Sequence, residues 1–213
     1  MNKAIILALA VTVAGCATHA KIDTPVVEHV SKSEWASKTF SYKVLYSQPE
    51  PGIFNDTVQQ PFKPLKESKL SLASATVLQK LPGYLEDQLP RGIKLVQEGD
   101  TDYQLEIRLK ANHKRGPSYS EYALASSAAK SLITLGMGAS DYEIIADFDA
   151  EYILTSKTGG QFSKNFNVKE TVEHQRGRFE SLSSTNDFAA DLLRKHMMLT
   201  MSSFLKEAAG KVN

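Results

Sequence analysis

Apolar and polar positions alternate most regularly between residues 103 and 111. The apolar positions there are Tyr103, Leu105, Ile107, Leu109 and Ala111. A period of two is that of a strand with one face on a core and the other in water. The same alternation runs over residues 142–154 and 162–172, and more briefly over 39–46. The pattern therefore predicts three long strands and shorter ones, including a short strand at 93–96.

The strand over residues 142–154 separates two kinds of side chain. The predicted inward residues are Ile144, Phe148, Tyr152 and Leu154, and the outward ones are Asp147, Asp149 and Glu151. Three carboxylates on one face suggest either catalytic acids or calcium ligands. Charges at every second position of a solvent-facing strand are the ordinary outcome, however, and Lys169 or Arg108 can face them. We favour a solvated face.

Residues 157–161 contain Gly159-Gly160, which predicts a hairpin between the last two strands. The inward residues of both strands are even-numbered. The residue numbers of any two residues that face each other across the hairpin must therefore add up to an even number. A two-residue loop gives an odd sum and turns one strand inside out. A three-residue loop with a left-handed glycine gives an even sum, and the prediction places Asp149 opposite Lys169.

Two stretches have the period of a helix. Over residues 70–89 an apolar residue recurs every fourth position, and Pro82 should kink this helix or split it in two. A closing helix is predicted over 186–208, capped by Ser184 or Thr185 and stopped at Gly210. Its apolar face comprises Ala189, Leu192, Leu193, Met197, Leu199, Phe204 and Ala208. Runs of antiparallel strands with helices on one face predict an α+β two-layer sandwich.

The chain begins with Met1-Asn2-Lys3. A largely apolar run follows over residues 4–13 and leads into Val13-Ala14-Gly15-Cys16. A positive start, a short apolar core and small residues form a secretory signal. Its core falls short of the ~20 apolar residues that span a bilayer. The last four residues resemble a bacterial lipobox, which implies that Cys16 is diacylated, cut from Gly15 and acylated again.

Three segments follow from that resemblance. Residues 1–15 are a predicted signal peptide, 16–37 a lipidated N-terminus and tether, and 38–213 a single periplasmic α+β domain. More than one acyl chain gives a stable anchor without a membrane span. Ala17 follows the cysteine, and by resemblance to lipoprotein sorting patterns this implies the outer membrane.

Charge and cysteine content exclude several classes of function. The chain has 25 basic and 24 acidic residues, and removal of Lys3 with the signal leaves 24 of each, so a nucleic-acid partner is not expected. Cys16 is the only cysteine, so the mature chain has no disulfide and no free thiol nucleophile. No Gly-x-Ser-x-Gly motif is present. We expect neither enzymatic activity nor a cofactor.

A metal site is not predicted either. The five histidines are His19, His29, His113, His174 and His196. No two of them have ligand spacing on one element, so a zinc site would require tertiary contacts alone.

The stretch over residues 119–139 is rich in alanine and serine. It ends with the apolar residues Leu132, Ile133, Leu135 and Met137. Two interpretations remain open: a small helix packed on the sheet edge, or a mobile flap that touches lipid or a partner. Gly136 and Gly138 precede a predicted strand and follow a helical pattern, which favours a turn over a phosphate-binding loop.

With the lipobox and this order of elements, the chain resembles small outer-membrane lipoproteins of Gram-negative bacteria that assist envelope machinery. The lipopolysaccharide-assembly lipoprotein and the penicillin-binding-protein activators are examples. The resemblance implies an accessory protein that docks another envelope protein. The alternative is a periplasmic carrier that holds an acyl chain or glycolipid between sheet and helices.

Overall fold

The computed structural model describes residues 19–32, 35–51, 57–124, 140–177, 180–181 and 183–212. Over these residues the protein is an α+β domain in which three helices pack against a mostly antiparallel sheet. Its strands are β1 (Thr39–Ser47), β2 (Pro49–Pro51), β3 (Thr57–Gln59), β4 (Lys63–Pro64), β5 (Lys94–Val96), β6 (Tyr103–Ala111), β7 (Ser118–Tyr122), β8 (Ser140–Ser156) and β9 (Gln161–Arg176). Its helices are α1 (Leu72–Leu78), α2 (Leu81–Glu86) and α3 (Ser184–Ala209), and a short 3-10 helix spans Leu65–Glu67. In this part of the chain no helix has the length and apolar character needed to cross a membrane.

Strand β8, with 17 residues, is the longest element of the sheet. One of its edges pairs antiparallel with β6 and then with β7, and the other pairs with β9 along most of its length. Strand β6 in turn pairs in parallel with β1, whose other edge carries β4 and β5. Strands β2 and β3 form a separate antiparallel pair.

The alternation in the sequence correctly predicts which face of each long strand is buried. All five apolar positions of β6 are buried, and so are the four predicted inward positions of β8. Even-numbered residues of β9 point the same way, although of the predicted strand only Val168 is fully buried. The helices cover this face, with α3 packed on β7, β8 and β9 and α1 packed on α3.

The hairpin between β8 and β9 confirms the predicted parity but not the predicted pairing. Its loop has three residues, since Ser156 N–H donates to the carbonyl of Gly160. Gly159, with φ at 99°, holds the left-handed position, one residue earlier than the predicted register needs. The register therefore shifts by one residue on each strand: Asp149 faces Asn167, and Asp147 faces Lys169.

The helix predictions are largely confirmed. The 70–89 stretch is split into α1 and α2, and Pro82 lies in the first turn of α2, where a missing N–H leaves no bond unmade. Helix α3 stops at Gly210 as predicted, but it begins at Ser184 with Ser183 as N-cap, and no side chain caps it. Leu199, predicted on the apolar face, is 43% exposed.

The predicted tether is not free of the domain where the structure describes it. Residues 19–32, here called the strap, lie along the helical layer, with Ala20 and Val30 buried. Trp35 is fully buried, and its ring meets Phe40 and Tyr103 at 5.3 and 5.6 Å between centroids. These apolar residues are irregularly spaced between polar ones. The segment is neither helix nor paired strand here, so no regular spacing of buried side chains is imposed on it.

The first residues of the predicted flap are also part of the sheet. Residues 119–122 belong to β7, which pairs with β8 in the register Tyr122 opposite Tyr142. Replacing all of 119–139 would therefore remove most of a strand, so residues 119–122 are not dispensable. The sequence pattern misses this because Ser118, Ser120 and Glu121 give β7 no apolar alternation.

A candidate ligand cavity

The residues predicted to contact lipid or a partner lie outside the described part of the chain. They are Cys16, Leu132, Ile133, Leu135 and Met137. Their roles stay predictions. The described residues that border residues 125–139, Leu124 and Ser140, lie at one end of the sheet, near the pair Tyr122 and Tyr142.

A cavity of about 620 Å³ lies between strand β1 and the helix pair α1 and α2. Its size is within the ~300–1,000 Å³ of small-molecule sites. The apolar residues that line it are Val44, Pro64, Leu65, Leu70, Ala75, Leu78, Leu81 and Pro82. Leu78 and Leu81 belong to the core and are almost fully buried, so the accessible apolar surface of the cavity comes from half-buried residues such as Val44, Leu65 and Leu70.

Charged side chains surround the same cavity. Lys66, Glu67 and Glu98 are exposed there, whereas Lys43, which also borders the cavity, places its Nζ 3.8 Å from Glu106 Oε2 on the outer face of the sheet. The phenol of Tyr42 also lines it, and burial raises the pKa of Tyr42, with Glu86 adding to the rise. Tyr42 is therefore a neutral hydrogen-bonding group at neutral pH. The site combines an apolar wall with charges of both signs.

Local sequence explains the opening between strand and helices. Strand β4 ends at Pro64, and the chain turns through the 3-10 helix before Ser71 caps α1 by accepting a hydrogen bond from Ser74 N–H. Strand β4 pairs with β1 only at Leu45 and Tyr46, so the turn that follows it does not continue the ladder along β1. The prolines of this loop are visible in the sequence, but the cavity they leave is not.

The outer face of the sheet is a network of paired charges. Arg108 Nη1 lies 3.0 Å from Glu151 Oε2, and Lys110 Nζ lies 3.2 Å from Asp149 Oδ2. Asn112 Nδ2 donates to Asp147 Oδ1 at 3.0 Å. The solvated interpretation of the three carboxylates is thereby supported, since each has a partner on β6 or on the residue that follows it.

Tertiary contacts bring together His19, His174 and Glu180, with their ligand atoms within 4.8 Å of one another. The ring of His174 accepts a hydrogen bond from Ala20 N–H at Nδ1, over 3.1 Å. The neutral ring therefore carries its proton on Nε2, the atom that lies 3.0 Å from Glu180 Oε1. A metal bound at Nε2 needs the proton on Nδ1, and the Ala20 donor opposes that tautomer. The cluster fits a polar junction that fastens the strap better than a metal site.

A second histidine connects β9 to α3. His196 Nε2 lies 2.7 Å from Glu170 Oε2, and Lys195 Nζ lies 2.8 Å from Glu170 Oε1. Burial lowers the pKa of His196, and the hydrogen bond to Glu170 offsets this only in part. Burial alone would raise the pKa of Glu170, but the hydrogen bond and charge of Lys195 lower it overall. We interpret the trio as a structural tie.

No family model matches this sequence, and no curated protein matches it either. Among solved structures, a DUF330-family protein from Xanthomonas campestris has a TM-score of 0.41 at 9% identity, covering 91% of this chain and 98% of its own. A proposed neuraminyllactose-binding hemagglutinin homolog from Helicobacter pylori has a TM-score of 0.41 at 8% identity, covering 91% of this chain and 97% of its own. Rare lipoprotein B from Shewanella oneidensis has a TM-score of 0.34 at 16% identity, covering 81% of this chain and 94% of its own. At these scores function must be argued from the chain itself.

Proposed function

We propose that this protein is a lipid-anchored, non-enzymatic accessory protein of the bacterial envelope that binds an amphipathic lipid in the cavity beside β1. The acyl chains on Cys16 hold it to the outer membrane, with the domain in the periplasm. The observation that carries the proposal is the cavity itself. It lies between sheet and helices, where a carrier would hold an acyl chain.

The chemistry of the cavity favours an amphipathic lipid over other small ligands. An acyl chain would lie on the half-buried Val44, Leu65 and Leu70, where burial of each CH₂ group contributes about 0.8 kcal/mol. The headgroup would lie among the exposed charges. Lys66 with Glu67 and Glu98 matches a zwitterionic headgroup better than a purely anionic one, since Lys43 is already paired with Glu106.

Ala75→Phe should block binding of lysophosphatidylethanolamine, because Ala75 lines the cavity and a phenyl ring would occupy the space of the chain. We expect at least ~10-fold weaker binding, which corresponds to ~1.4 kcal/mol. The measurement is titration of the purified mature chain carrying Cys16→Ser, with displacement of a fluorescent fatty acid as readout. The same protein should release co-purified lipid in native mass spectrometry.

Thr76→Phe is the matched control for that variant. Thr76 is the next residue of α1, is exposed, and does not line the cavity. Thr76→Phe should bind lysophosphatidylethanolamine with the same affinity as the parent protein. Absence of binding by the parent, or equal affinities of the two Phe variants with matching thermal midpoints, would remove the cavity as a lipid site.

Cys16→Ser should abolish acylation and leave the precursor uncut. The thiol is the acceptor of the diacylglyceryl group, and this transfer precedes cleavage after Gly15 in the lipoprotein pathway that the lipobox implies. Metabolic labelling with an alkyne fatty acid measures it directly. Label retained on Cys16→Ser would show that the anchor lies elsewhere.

A docking function has one structural feature in its favour. The outer edge of β9 pairs with no other strand within the described ranges, so its backbone groups can accept an added strand. An envelope protein cross-linked to β9 of the anchored chain, and captured equally by Ala75→Phe, would favour docking over lipid transfer.

A further inference from the structure

The strap follows helix α3 in the direction of the helix. Near the start of α3, Ala20 N–H donates to His174, whose ring contacts Phe188 at 4.5 Å between centroids. Further along, Arg194 Nη2 donates to Thr24 Oγ1 at 3.2 Å. Because later residues of the strap contact later residues of α3, the two segments lie side by side and run in the same direction.

The strap remains fastened to the end of α3. Val30 N–H donates to the carbonyl of Gln88 at 2.8 Å, and Gln88 contacts Met201 of α3. Lys32 Nζ donates to the carbonyls of Ala209 and Val212 at 2.6 and 2.7 Å. The 26 residues of α3 rise about 39 Å at 1.5 Å per residue. Twelve extended residues reach ~40 Å, so the strap matches the length of the helix.

The beginning of the strap lies at one end of the domain. This end, here called the tip, comprises Tyr122, Leu124, Tyr142 and Arg176. His174 faces Tyr142 on β8, and Tyr142 faces Tyr122 on β7. Tyr122 and Leu124 are 44% and 73% exposed. The β8–β9 turn lies at the other end of the sheet, ~50 Å away along β8 at ~3.3 Å per residue.

Cys16 is three residues before His19, so its Cα lies within ~11 Å of that of His19. We infer that the strap turns the tip toward the bilayer that holds Cys16 and keeps the β8–β9 turn away from it. This inference rests on the proposed anchor at Cys16. An unfastened 22-residue linker over residues 16–37 would reach ~70 Å and set no orientation.

The exposed chemistry of the tip suits a bilayer interface. Tyrosine is enriched at the level of lipid headgroups because its ring is apolar and its hydroxyl polar. Tyr122 and Tyr142 pack edge to face at 5.4 Å, and the guanidinium of Arg176 lies 5.9 Å from the ring of Tyr142. Leu124 adds an exposed apolar side chain beside them. The partner of this surface is the lipid headgroup region.

Energy transfer from tryptophan to dansyl-headgroup lipid tests the orientation. The unacylated mature chain is coupled through the thiol of Cys16 to maleimide-headgroup lipid in phosphatidylethanolamine and phosphatidylglycerol vesicles. Variants Tyr122→Trp and Thr158→Trp place a donor at the tip and at the β8–β9 turn, with Trp35 as a common background. We expect severalfold more transfer, above that background, from Tyr122→Trp than from Thr158→Trp. Equal transfer, or more from Thr158→Trp, would overturn the inference.

A second variant tests the strap as the cause. A Gly-Ser insertion of about twenty residues between residues 18 and 19 adds up to ~65 Å of slack and leaves the domain intact. The difference between the two tryptophan positions should then disappear. A difference that persists would overturn the role of the strap. Chemical coupling bypasses natural acylation, so a failure of the proposed anchor would appear only in the Cys16→Ser labelling experiment.

Discussion

Phe148→Ala is expected to lower the free energy of unfolding by about 3–5 kcal/mol. Phe148 lies in the middle of β8, between β6 and β9 and beneath α3, with no exposed surface. Its ring meets the ring of His196 on α3 edge to face, at 6.4 Å between centroids. Truncation leaves a cavity where sheet and helix meet, and the surrounding strands cannot collapse into it.

Asp147→Ala is the control for Phe148→Ala. The neighbouring residue points to the opposite face, where its carboxylate accepts from Asn112 and faces Lys169 across the strands. Surface changes of this kind stay within about 0.5 kcal/mol. Urea denaturation of the mature chain measures both variants. Similar losses for the two would mean that the face assignment of β8 is wrong.

Trp35→Ala should also cost about 3–5 kcal/mol, although Trp35 lies in the segment that the sequence assigns to a tether. The indole is fully buried against Phe40 of β1 and Tyr103 of β6. These two rings stack on each other at 4.7 Å, so removal of the indole uncovers the end of the core at β1 and β6.

Val26→Ala is the comparison within the same predicted tether. Val26 is 97% exposed, and its truncation should change stability by no more than about 0.5 kcal/mol. If Trp35→Ala proved equally harmless, the end of the predicted tether would not belong to the core. Thermal and urea midpoints measured on the same preparations decide between the two.

The sequence predicts the strands well where burial enforces a period. The limits of β6 are predicted to the residue, because five apolar positions in strict alternation admit one register against a core. Parity likewise fixes the length of the β8–β9 loop. It leaves open the pairing, which depends on whether Gly159 or Gly160 takes the left-handed conformation.

The candidate cavity could not be predicted from the sequence, because it depends on contacts between distant parts of the chain. Its cavity is formed by β1, the loop before α1, the helix pair and residues 97–98, which meet only in the folded chain. The junction of His19, His174 and Glu180 is similarly long-range, since Ala20 and the histidine that accepts its N–H are 154 positions apart in the sequence. Periodicity reports which face of an element is buried, but not what it is buried against.

The strap also constrains when this domain can be completed. The contact between Lys32 and Ala209 spans 177 residues, so the first described segment must wait for the last helix. A chain exported from its N-terminus would present Cys16 for modification while the partners of the strap are still on the other side of the membrane. Contacts this distant in sequence form late, since loop closure must precede them. With the anchor proposed at Cys16, lipid attachment would therefore come before folding is finished, and docking of the strap would be the last step that brings the domain to its anchor.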